Sequence, residues 1–264
     1  GRAQREWPSF RGPGGLGIAY HTNAPTYWDG PAGSNIAWKT AVPLPGFNSP
    51  LVWGERVFLS GANREMREIY CFDARTGKML WTAAADAIPG SPAEAPEVTE
   101  DTGHAAATVA TDGERVFAVF STGDLLCCDM EGRRVWARNL GVPENHYGHS
   151  SSLLVYGDTL LVQYDHSGWA SLFGLDAATG QERWDTAREV AVSWASPSLI
   201  MDGGEPTVVL NATPYVAAYD PASGVRRWRA DCMSGEVAPS PAYAGCLVFA
   251  ANDYAVAVAL RRDD

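Results

Sequence analysis

The stretch Ile69-Tyr-Cys-Phe-Asp-Ala-Arg-Thr-Gly-Lys-Met-Leu-Trp81 decides the fold. Apolar residues lead to Asp73, a turn ends at Gly77, and Trp81 follows on a second apolar run. An aspartate carboxylate can accept backbone N–H groups two residues further on, which opens a tight turn. Glycine adopts a positive φ without steric cost, which suits the end of that turn. The stretch therefore predicts a strand, a turn and a returning strand.

The same unit occurs four times in the chain. The tryptophan stands four residues after the turn glycine in every copy, and the aspartate stands three or four residues before that glycine. The aspartates are Asp73, Asp129, Asp176 and Asp220, the glycines are Gly77, Gly132, Gly180 and Gly224, and the tryptophans are Trp81, Trp136, Trp184 and Trp228. A repeat of this length indicates a propeller, a solenoid or an array. We expect each tryptophan to fill the gap between neighbouring sheets, so these residues are predicted to be structural.

A pair of inner strands is predicted before each hairpin. The pairs lie at residues 49–58, 108–119, 152–163 and 196–210. Four strands in about 45 residues are typical of a propeller blade. A fifth unit begins at Ser240, and its third strand is predicted at residues 254–260.

Residues 35–42 contain Trp38 and are predicted to be the final strand of an incomplete repeat. A strand from this part of the chain that completes the last sheet would close a ring and remove its exposed edges. We therefore predict an all-β propeller domain of four-stranded antiparallel blades at residues 35–264, with about five repeats. Residues 1–34 are rich in Pro and Gly and are predicted to form an arm across the outside of the domain.

Composition argues against several classes of partner. The 264 residues include 20 Lys and Arg against 31 Asp and Glu, a net charge of −11. Nucleic acids and anionic membranes are bound by basic patches, so neither is expected as a partner. No apolar run reaches the roughly 18 residues of a transmembrane helix, so no transmembrane segment is predicted.

The cysteines fit no zinc-binding spacing. They are Cys71, Cys127, Cys128, Cys232 and Cys246. Cys127 and Cys128 are adjacent in a predicted strand, where successive side chains point to opposite faces. We therefore expect these two thiols to fill the core rather than to form a disulfide.

Polar residues at equivalent positions before the inner strands form the candidate site. His104 and His149 take this position in two repeats and Ser193 in a third. Near one mouth of the central channel, the predicted ligand or partner rim consists of His104, His146, Tyr147, His149, Ser193, Trp194 and Glu236. Such a rim could bind a small polar ligand, a metal or a peptide, while the alternative is that the imidazoles cap loop carbonyls. Two histidines without a third ligand are a weak metal signal, and no metal site is predicted.

The adjacent residues Asp165, His166 and Ser167 invite interpretation as a catalytic triad. A triad is assembled in space and not by adjacency in the chain, and the sequence has no G-x-S-x-G motif. We predict that this stretch is a turn and assign no catalytic residue.

Two of the units resemble a known repeat. Cys71-Phe-Asp-Ala-Arg-Thr-Gly-Lys-Met-Leu-Trp81 and Gly174-Leu-Asp-Ala-Ala-Thr-Gly-Gln-Glu-Arg-Trp184 are similar to the PQQ-like β-propeller repeat with its tryptophan-docking motif, A-x-D-x-x-T-G-x-x-x-W. The opening Trp7-Pro-Ser-Phe-Arg-Gly-Pro13 resembles the start of exported PQQ-like or BamB-like proteins. The resemblance implies an extracytoplasmic protein, periplasmic or secreted, whose signal segment is not in this chain. Rings of this family commonly have seven or eight blades, so the repeats form either a short closed ring or part of a larger one.

The family includes both PQQ-dependent alcohol dehydrogenases and non-catalytic protein-binding propellers, and a fold does not choose between them. We predict an exported, non-catalytic binding or scaffold module without a cofactor, whose protein partners dock on a face built by the loops at residues 82–103 and 140–150. A small ligand in the central channel is a further expectation. The alternative is a quinoprotein oxidoreductase that binds PQQ with Ca²⁺. Such enzymes place a disulfide between adjacent cysteines against the quinone ring, and in this chain Cys127 and Cys128 would have to take that role. A carbohydrate-binding propeller using Trp169, Trp194 and Tyr215 is a third alternative.

Overall fold

A computed structural model describes residues 6–19, 24–201, 204–252 and 257–261, and it shows a β-propeller. Within these ranges, four sheets have four strands and one has three. Strands that follow one another in the chain are neighbours in each sheet and pair antiparallel. The all-β propeller predicted from the repeat is confirmed.

The blades follow one another along the chain. Blade 1 contains β1 (Leu51–Trp53), β2 (Arg56–Ala62), β3 (Arg67–Asp73) and β4 (Met79–Ala84). Blade 2 contains β5 (Ala110–Thr111), β6 (Arg115–Val119), β7 (Asp124–Asp129) and β8 (Arg134–Asn139). Blade 3 contains β9 (Leu154–Tyr156), β10 (Thr159–Asp165), β11 (Ala170–Asp176) and β12 (Glu182–Ala187). Blade 4 contains β13 (Ser198–Ile200), β14 (Thr207–Asn211), β15 (Tyr215–Tyr219) and β16 (Arg226–Asp231). Blade 5 contains β17 (Ala242–Ala244), β18 (Leu247–Ala251) and β19 (Ala257–Arg261).

The middle strands of blades 2, 3 and 4 are buried on both faces because each of these blades packs between two others. In β7, Cys127 belongs to an apolar cluster with Phe117 of its own blade and Leu160 of blade 3. Its neighbour Cys128 belongs to a different cluster, shared with Phe58 of blade 1. Both thiols are free and buried, as expected for a regular strand.

Three of the four repeat tryptophans, Trp81, Trp136 and Trp184, pack on the turn glycine of the next blade. Trp81 donates from Nε1 to the carbonyl oxygen of Met130 at 2.9 Å. A Cβ atom on Gly132 would lie 2.6 Å from Cδ2 of the Trp81 ring. The pairs Trp136 with Gly180 and Trp184 with Gly224 repeat this contact. Only glycine leaves room for the ring, so sequence spacing translates directly into packing between blades.

The repeat aspartates hold their turns as expected. Oδ1 of Asp176 accepts hydrogen bonds from the backbone N–H groups of Ala178 at 3.0 Å and Thr179 at 2.9 Å. Its second oxygen is 2.6 Å from Nη2 of Arg183. Burial is slight here, and the hydrogen bonds from Arg183 and Thr179 lower the pKa of this carboxyl to about 2.

The prediction of a strand at residues 35–42 is wrong. None of these residues is in a strand, and among the described strands β19 pairs only with β18. Trp38 nevertheless behaves like a repeat tryptophan, because its ring lies on Gly77 and its Nε1 donates to the carbonyl oxygen of Ala74 at 2.9 Å. The segment is therefore held by the side chain of Trp38 and not by a ladder to blade 5. The third strand predicted at residues 254–260 is observed as β19, while residues 254–256 lie outside the described ranges.

Residues 6–17 cross the inner strands of four blades. Their contacts are Trp7 with Val52, Pro8 with Thr111, Gly15 with Ser198, and Arg11 with Pro241. A short 3₁₀-helix, Pro13–Gly15, lies within this stretch. We call residues 6–17 the arm; it runs over one end of the central channel. In the part of the chain that is described, no helix combines the length and the hydropathy needed to cross a membrane.

Candidate functional site

A series of hydroxyl groups lines the channel where the inner strands begin. From blade 1 to blade 4, the backbone N–H of one residue donates to the hydroxyl oxygen of its counterpart in the next blade. These bonds run from Ser49 to Thr108 at 3.0 Å, Thr108 to Ser152 at 3.0 Å, Ser152 to Ser196 at 2.9 Å, and Ser196 to Ser240 at 2.9 Å. We call this series the hydroxyl ladder. It ties neighbouring blades together and makes the channel wall polar.

The channel contains a cavity of about 560 Å³. Its wall includes the ladder residues Thr108, Ser152, Ser196 and Ser240. Phe10 and Arg11 of the arm also line it, and Arg11 Nη1 donates to the carbonyl oxygens of Ser240 at 3.4 Å and Pro241 at 3.2 Å. The residues at its other end are Phe47, Asp101, Tyr147, Trp194 and Glu236. The arm therefore forms one end of the cavity, and the entry loops form the other.

Four of the predicted rim residues come together at the entry loops: His146, Tyr147, Trp194 and Glu236. The ring centroids of Tyr147 and Trp194 are 5.1 Å apart, and the ring of His146 meets that of Trp194 edge-on at 5.3 Å. Glu236 lies 3.4 Å from His146 Nε2 and 3.5 Å from the Tyr147 hydroxyl. We call these four residues the mouth cluster. In this cluster three rings pack together, and two of them, His146 and Tyr147, lie beside the carboxylate of Glu236.

Asn145 organises the mouth cluster, although the sequence analysis did not single it out. Its Oδ1 atom accepts hydrogen bonds from Trp194 Nε1 at 2.9 Å and from the backbone N–H groups of Tyr147 at 3.3 Å and Gly148 at 3.2 Å. The main chain of Trp194 is fixed separately, because its N–H donates to the carbonyl oxygen of Val237 at 2.9 Å. An asparagine three residues before a glycine is a turn signal, and that signal could have identified Asn145.

The other three rim residues lie elsewhere. His104 Nδ1 is 2.8 Å from the hydroxyl of Ser121, and burial lowers the pKa of this imidazole. Ser193 is buried and donates to the carbonyl oxygen of Asn211 at 2.7 Å. His149 is buried against the ring of Tyr164 at 5.0 Å, and burial lowers its pKa to about 4. Equivalent sequence positions therefore do not bring these side chains to the mouth cluster.

Asp165, His166 and Ser167 do not form a triad. Asp165 is paired with Arg188 at 2.9 Å, and neither side chain is exposed. The Ser167 hydroxyl donates to the carbonyl oxygen of Glu144 at 2.6 Å. The ring of His166 accepts a hydrogen bond from the backbone N–H of Gly168 at 3.2 Å. The stretch forms a turn, and each of the three side chains contacts a different partner.

The residues of the cavity do not fit PQQ with Ca²⁺. PQQ carries three carboxylates, whereas the cavity is lined by one guanidinium, Arg11, and two carboxylates, Asp101 and Glu236. Ca²⁺ takes six to eight oxygen ligands, usually with several carboxylates among them. Nowhere in the described ranges do three His, Cys, Asp or Glu side chains come close enough to hold a metal. The acidic groups at the entry loops favour a cation over a polyanion.

Comparisons with known proteins agree with the fold. A family model described as outer membrane protein assembly factor BamB matches residues 22–146 and 67–264. No curated protein matches the chain. The BamB crystal structure from Moraxella catarrhalis is similar, with 16% identity, a TM-score of 0.55, and coverage of 79% of this chain and 55% of that one.

Two solved oxidoreductases are also similar. The quinohemoprotein alcohol dehydrogenase from Comamonas testosteroni has 14% identity and a TM-score of 0.74, with 98% of this chain and 48% of that chain covered. The corresponding enzyme from Pseudomonas putida HK5 has 14% identity and a TM-score of 0.61, with 85% and 41% covered. The chain thus spans about half the length of the solved structures it matches. At these identities the likeness shows the fold alone.

Proposed function

Because the chain belongs to the family of PQQ-like β-propeller repeat proteins, whose model is described as outer membrane protein assembly factor BamB, we propose that it is a non-catalytic protein-binding module outside the cytoplasm. Its partner would dock on the channel face formed by the entry loops. The family description supports a scaffold role in the assembly of envelope proteins, and it also supports the extracytoplasmic location.

The observation that carries this proposal is the exposed aromatic surface at the entry loops. Phe47 is 60% exposed and Tyr147 is 38% exposed, and both line the same cavity mouth as Trp194. Aromatic residues are enriched in protein interfaces and often supply most of the binding energy. An aromatic group that is already fixed by a hydrogen bond, as the half-buried Trp194 is by Asn145, loses little conformational entropy on binding.

The chemistry of the cavity wall supports binding rather than catalysis. The described residues that line it include no His, Lys or Cys that could serve as a base beside a hydroxyl nucleophile. The hydroxyl oxygens of Thr108, Ser152, Ser196 and Ser240 are engaged as acceptors in the hydroxyl ladder. The imidazole of His146, in the mouth cluster, contacts Glu236 and the rings of Tyr147 and Trp194. A nucleophile activated by an adjacent base is therefore not assembled here.

Site-specific photocrosslinking in the native host tests this proposal. Benzoylphenylalanine would replace Phe47 or Tyr147 at the mouth, and Leu80 on the outer strand β4 as a control. Leu80 is 47% exposed, so it samples solvent at a different place on the molecule. We expect the same protein to be crosslinked from both mouth positions and not from Leu80. The purified partner should then bind the propeller, and Tyr147→Ala should weaken that binding. Equal crosslinking from all three positions would contradict the proposal.

The oxidoreductase alternative rests on the likeness to the Comamonas testosteroni enzyme, which supports the fold. A titration with PQQ and Ca²⁺, followed by tryptophan fluorescence and thermal unfolding, separates it from the binding function. A ligand present at 100 times its Kd stabilises a folded protein by about 2.7 kcal/mol. We expect no saturable change, because the cavity lacks the cations and the ligand cluster that PQQ and Ca²⁺ require. A saturable change in Tm would favour the enzyme.

A further inference from the structure

The mouth cluster has the composition of a cation site, and we infer that it receives a lysine or arginine side chain of the docking partner. This inference rests on the proposed function and names the chemical class of the partner segment. It follows from three features: the geometry of the rings, the distribution of charge along the cavity, and the polar wall below the mouth.

The rings are placed to face a cation. Tyr147 and Trp194 are tilted by 46° with their centroids 5.1 Å apart, and the ring of His146 packs on both, at 4.0 Å and 5.3 Å. A cation therefore approaches these rings from the solvent side, where Tyr147 is 38% exposed. A cation within about 6 Å of such a ring is attracted by the negative face of the π system. Trp194 cannot turn away easily, because Asn145 and Val237 hold its indole N–H and its backbone N–H.

The charges along the cavity have opposite signs at its two ends. Glu236 and Asp101 lie at the entry loops, and the side chain of Glu236 is 54% exposed. Arg11 lies at the arm end, where the carbonyl oxygens of Ser240 and Pro241 hold its guanidinium. A positive side chain that enters from solvent therefore meets the carboxylates first. The net charge of −11 adds a long-range attraction for a basic segment.

The wall beneath the mouth suits the polar groups of a peptide. The ladder oxygens of Ser152 and Ser196 each accept one backbone N–H. A hydroxyl group that accepts a hydrogen bond can still donate its own O–H. The ladder can therefore bind carbonyl oxygens of a segment whose basic side chain occupies the mouth cluster.

A peptide series with one variable residue tests the inference. The peptides are acetyl-Gly-Gly-X-Gly-Gly-amide, where X is lysine, arginine, norleucine or glutamate. Norleucine keeps the aliphatic chain of lysine and lacks its charge. Binding is followed through the indole ¹⁵N–H signal of Trp194, which is assigned by its loss in Trp194→Phe. We expect saturable shifts with the lysine and arginine peptides, and at least about tenfold weaker binding of the norleucine peptide.

Two matched variants separate the local carboxylate from overall charge. Glu236→Gln is expected to weaken binding of the lysine peptide about tenfold. Glu182→Gln makes the same charge change on the exposed outer strand β12 and should leave binding unchanged. Both variants should melt at the temperature of the parent protein, which would show that the fold is intact.

Three outcomes would overturn the inference: norleucine binding as tightly as lysine, no shift with any peptide, or equal weakening by Glu236→Gln and Glu182→Gln. If crosslinks from Phe47 and Tyr147 persist in any of these cases, the proposed function stands and only the basic partner is wrong. Loss of the crosslinks together with the peptide shifts would remove both.

Discussion

The backbone N–H of Ser152 donates to the hydroxyl oxygen of Ser196 at 2.9 Å, across a sequence separation of 44 residues. This buried bond is one link of the hydroxyl ladder. Ser196→Ala would leave the N–H of Ser152 without its acceptor, which costs about 1–3 kcal/mol for a buried group. Urea denaturation should show that loss.

Ser196→Thr is the control for that change, because Thr108 takes the same role in blade 2. We expect the threonine variant to keep most of the free energy of unfolding. Equal stability of the alanine variant and the parent protein would mean that the ladder contributes nothing.

From the contact between Trp136 and Gly180 we predict that Gly180→Ala, which adds a single methyl group, lowers the stability of the fold strongly. Gly180 has a φ of +70°, and a Cβ atom there would lie 2.6 Å from the Trp136 ring. Gly157→Ala is the matched control, since this glycine has a φ of +56° with nothing within 4 Å of an added Cβ. Both variants bear the left-handed strain of about 1–2 kcal/mol. Only Gly180→Ala adds overpacking of about 1–3 kcal/mol, and thermal melts should rank the two accordingly.

Arg188 and Asp165 form an ion pair without solvent exposure, whereas Arg64 and Glu97 form one with side chains 57% and 85% exposed. Arg188→Met would leave a buried carboxylate unpaired, at a cost of about 3–5 kcal/mol. Arg64→Met should leave the free energy of unfolding nearly unchanged, because water screens this exposed pair. Chemical denaturation of both variants measures the difference. Similar losses would show that burial does not decide the strength of these pairs.

Because the imidazole of His149 is buried, we predict that the protein loses stability in mild acid. Burial lowers its pKa to about 4 in the folded protein, whereas the unfolded chain has a value of about 6.5. Between these two values the unfolded state binds more protons, so the free energy of unfolding falls as the pH falls. The loss from this residue is on the order of 2 kcal/mol at pH 5.

Denaturation of the parent protein and of His149→Gln at pH 7 and pH 5 checks this prediction. The variant should depend less on pH across that window. Some dependence will remain, because burial also lowers the pKa of His166. An identical pH dependence in both proteins would assign the effect to other groups.

From the burial of the five thiols we predict the order in which a reagent modifies them. Cys71, Cys127 and Cys128 are buried, and burial raises the pKa of Cys71 and Cys128 to about 12. Cys246 is exposed and Cys232 is half-buried. Because the thiolate is the reactive form, an aromatic disulfide reagent should react quickly with Cys246, slowly with Cys232, and with the other three only after unfolding. Rapid reaction of Cys127 or Cys128 in the native protein would contradict the packing described above.

The fold could be predicted because its signal is local and repeated. Asp176, Gly180 and Trp184 each have a role that follows from turn chemistry or from the contact with the next blade. All four copies repeat the aspartate turn, and three repeat the contact of the tryptophan with the next blade. The strand predicted around Trp38 failed for the same reason. The tryptophan keeps its docking contact on Gly77, but a strand also needs a partner, and the local pattern contains no information about one.

The candidate site could be predicted only in part. Tyr147, Trp194 and Glu236 lie in entry loops, whose position in a propeller follows from the repeat. His149 is also predicted to belong to the rim, but its side chain is buried against Tyr164. The spacing of residues in the sequence does not distinguish a side chain at the mouth from a buried one. The contact between Arg11 and Pro241 joins residues 230 positions apart without any shared motif. Contacts of that kind become visible only in three dimensions.

The ladder bonds and the contacts of Arg11 can form only in a fixed order during synthesis. The ladder bonds that join blades 2 to 3, 3 to 4 and 4 to 5 each span 44 residues, so each bond can form as soon as one further blade has left the ribosome. The bonds from Arg11 to Ser240 and Pro241 span 229 and 230 residues and must wait until blade 5 begins. Nascent blades can therefore associate one by one, and the start of the arm can pair with Val52 of blade 1, before Arg11 docks on blade 5. Sequence separation is short for the ladder and long for the contacts of Arg11, which makes docking of Arg11 a late step of folding.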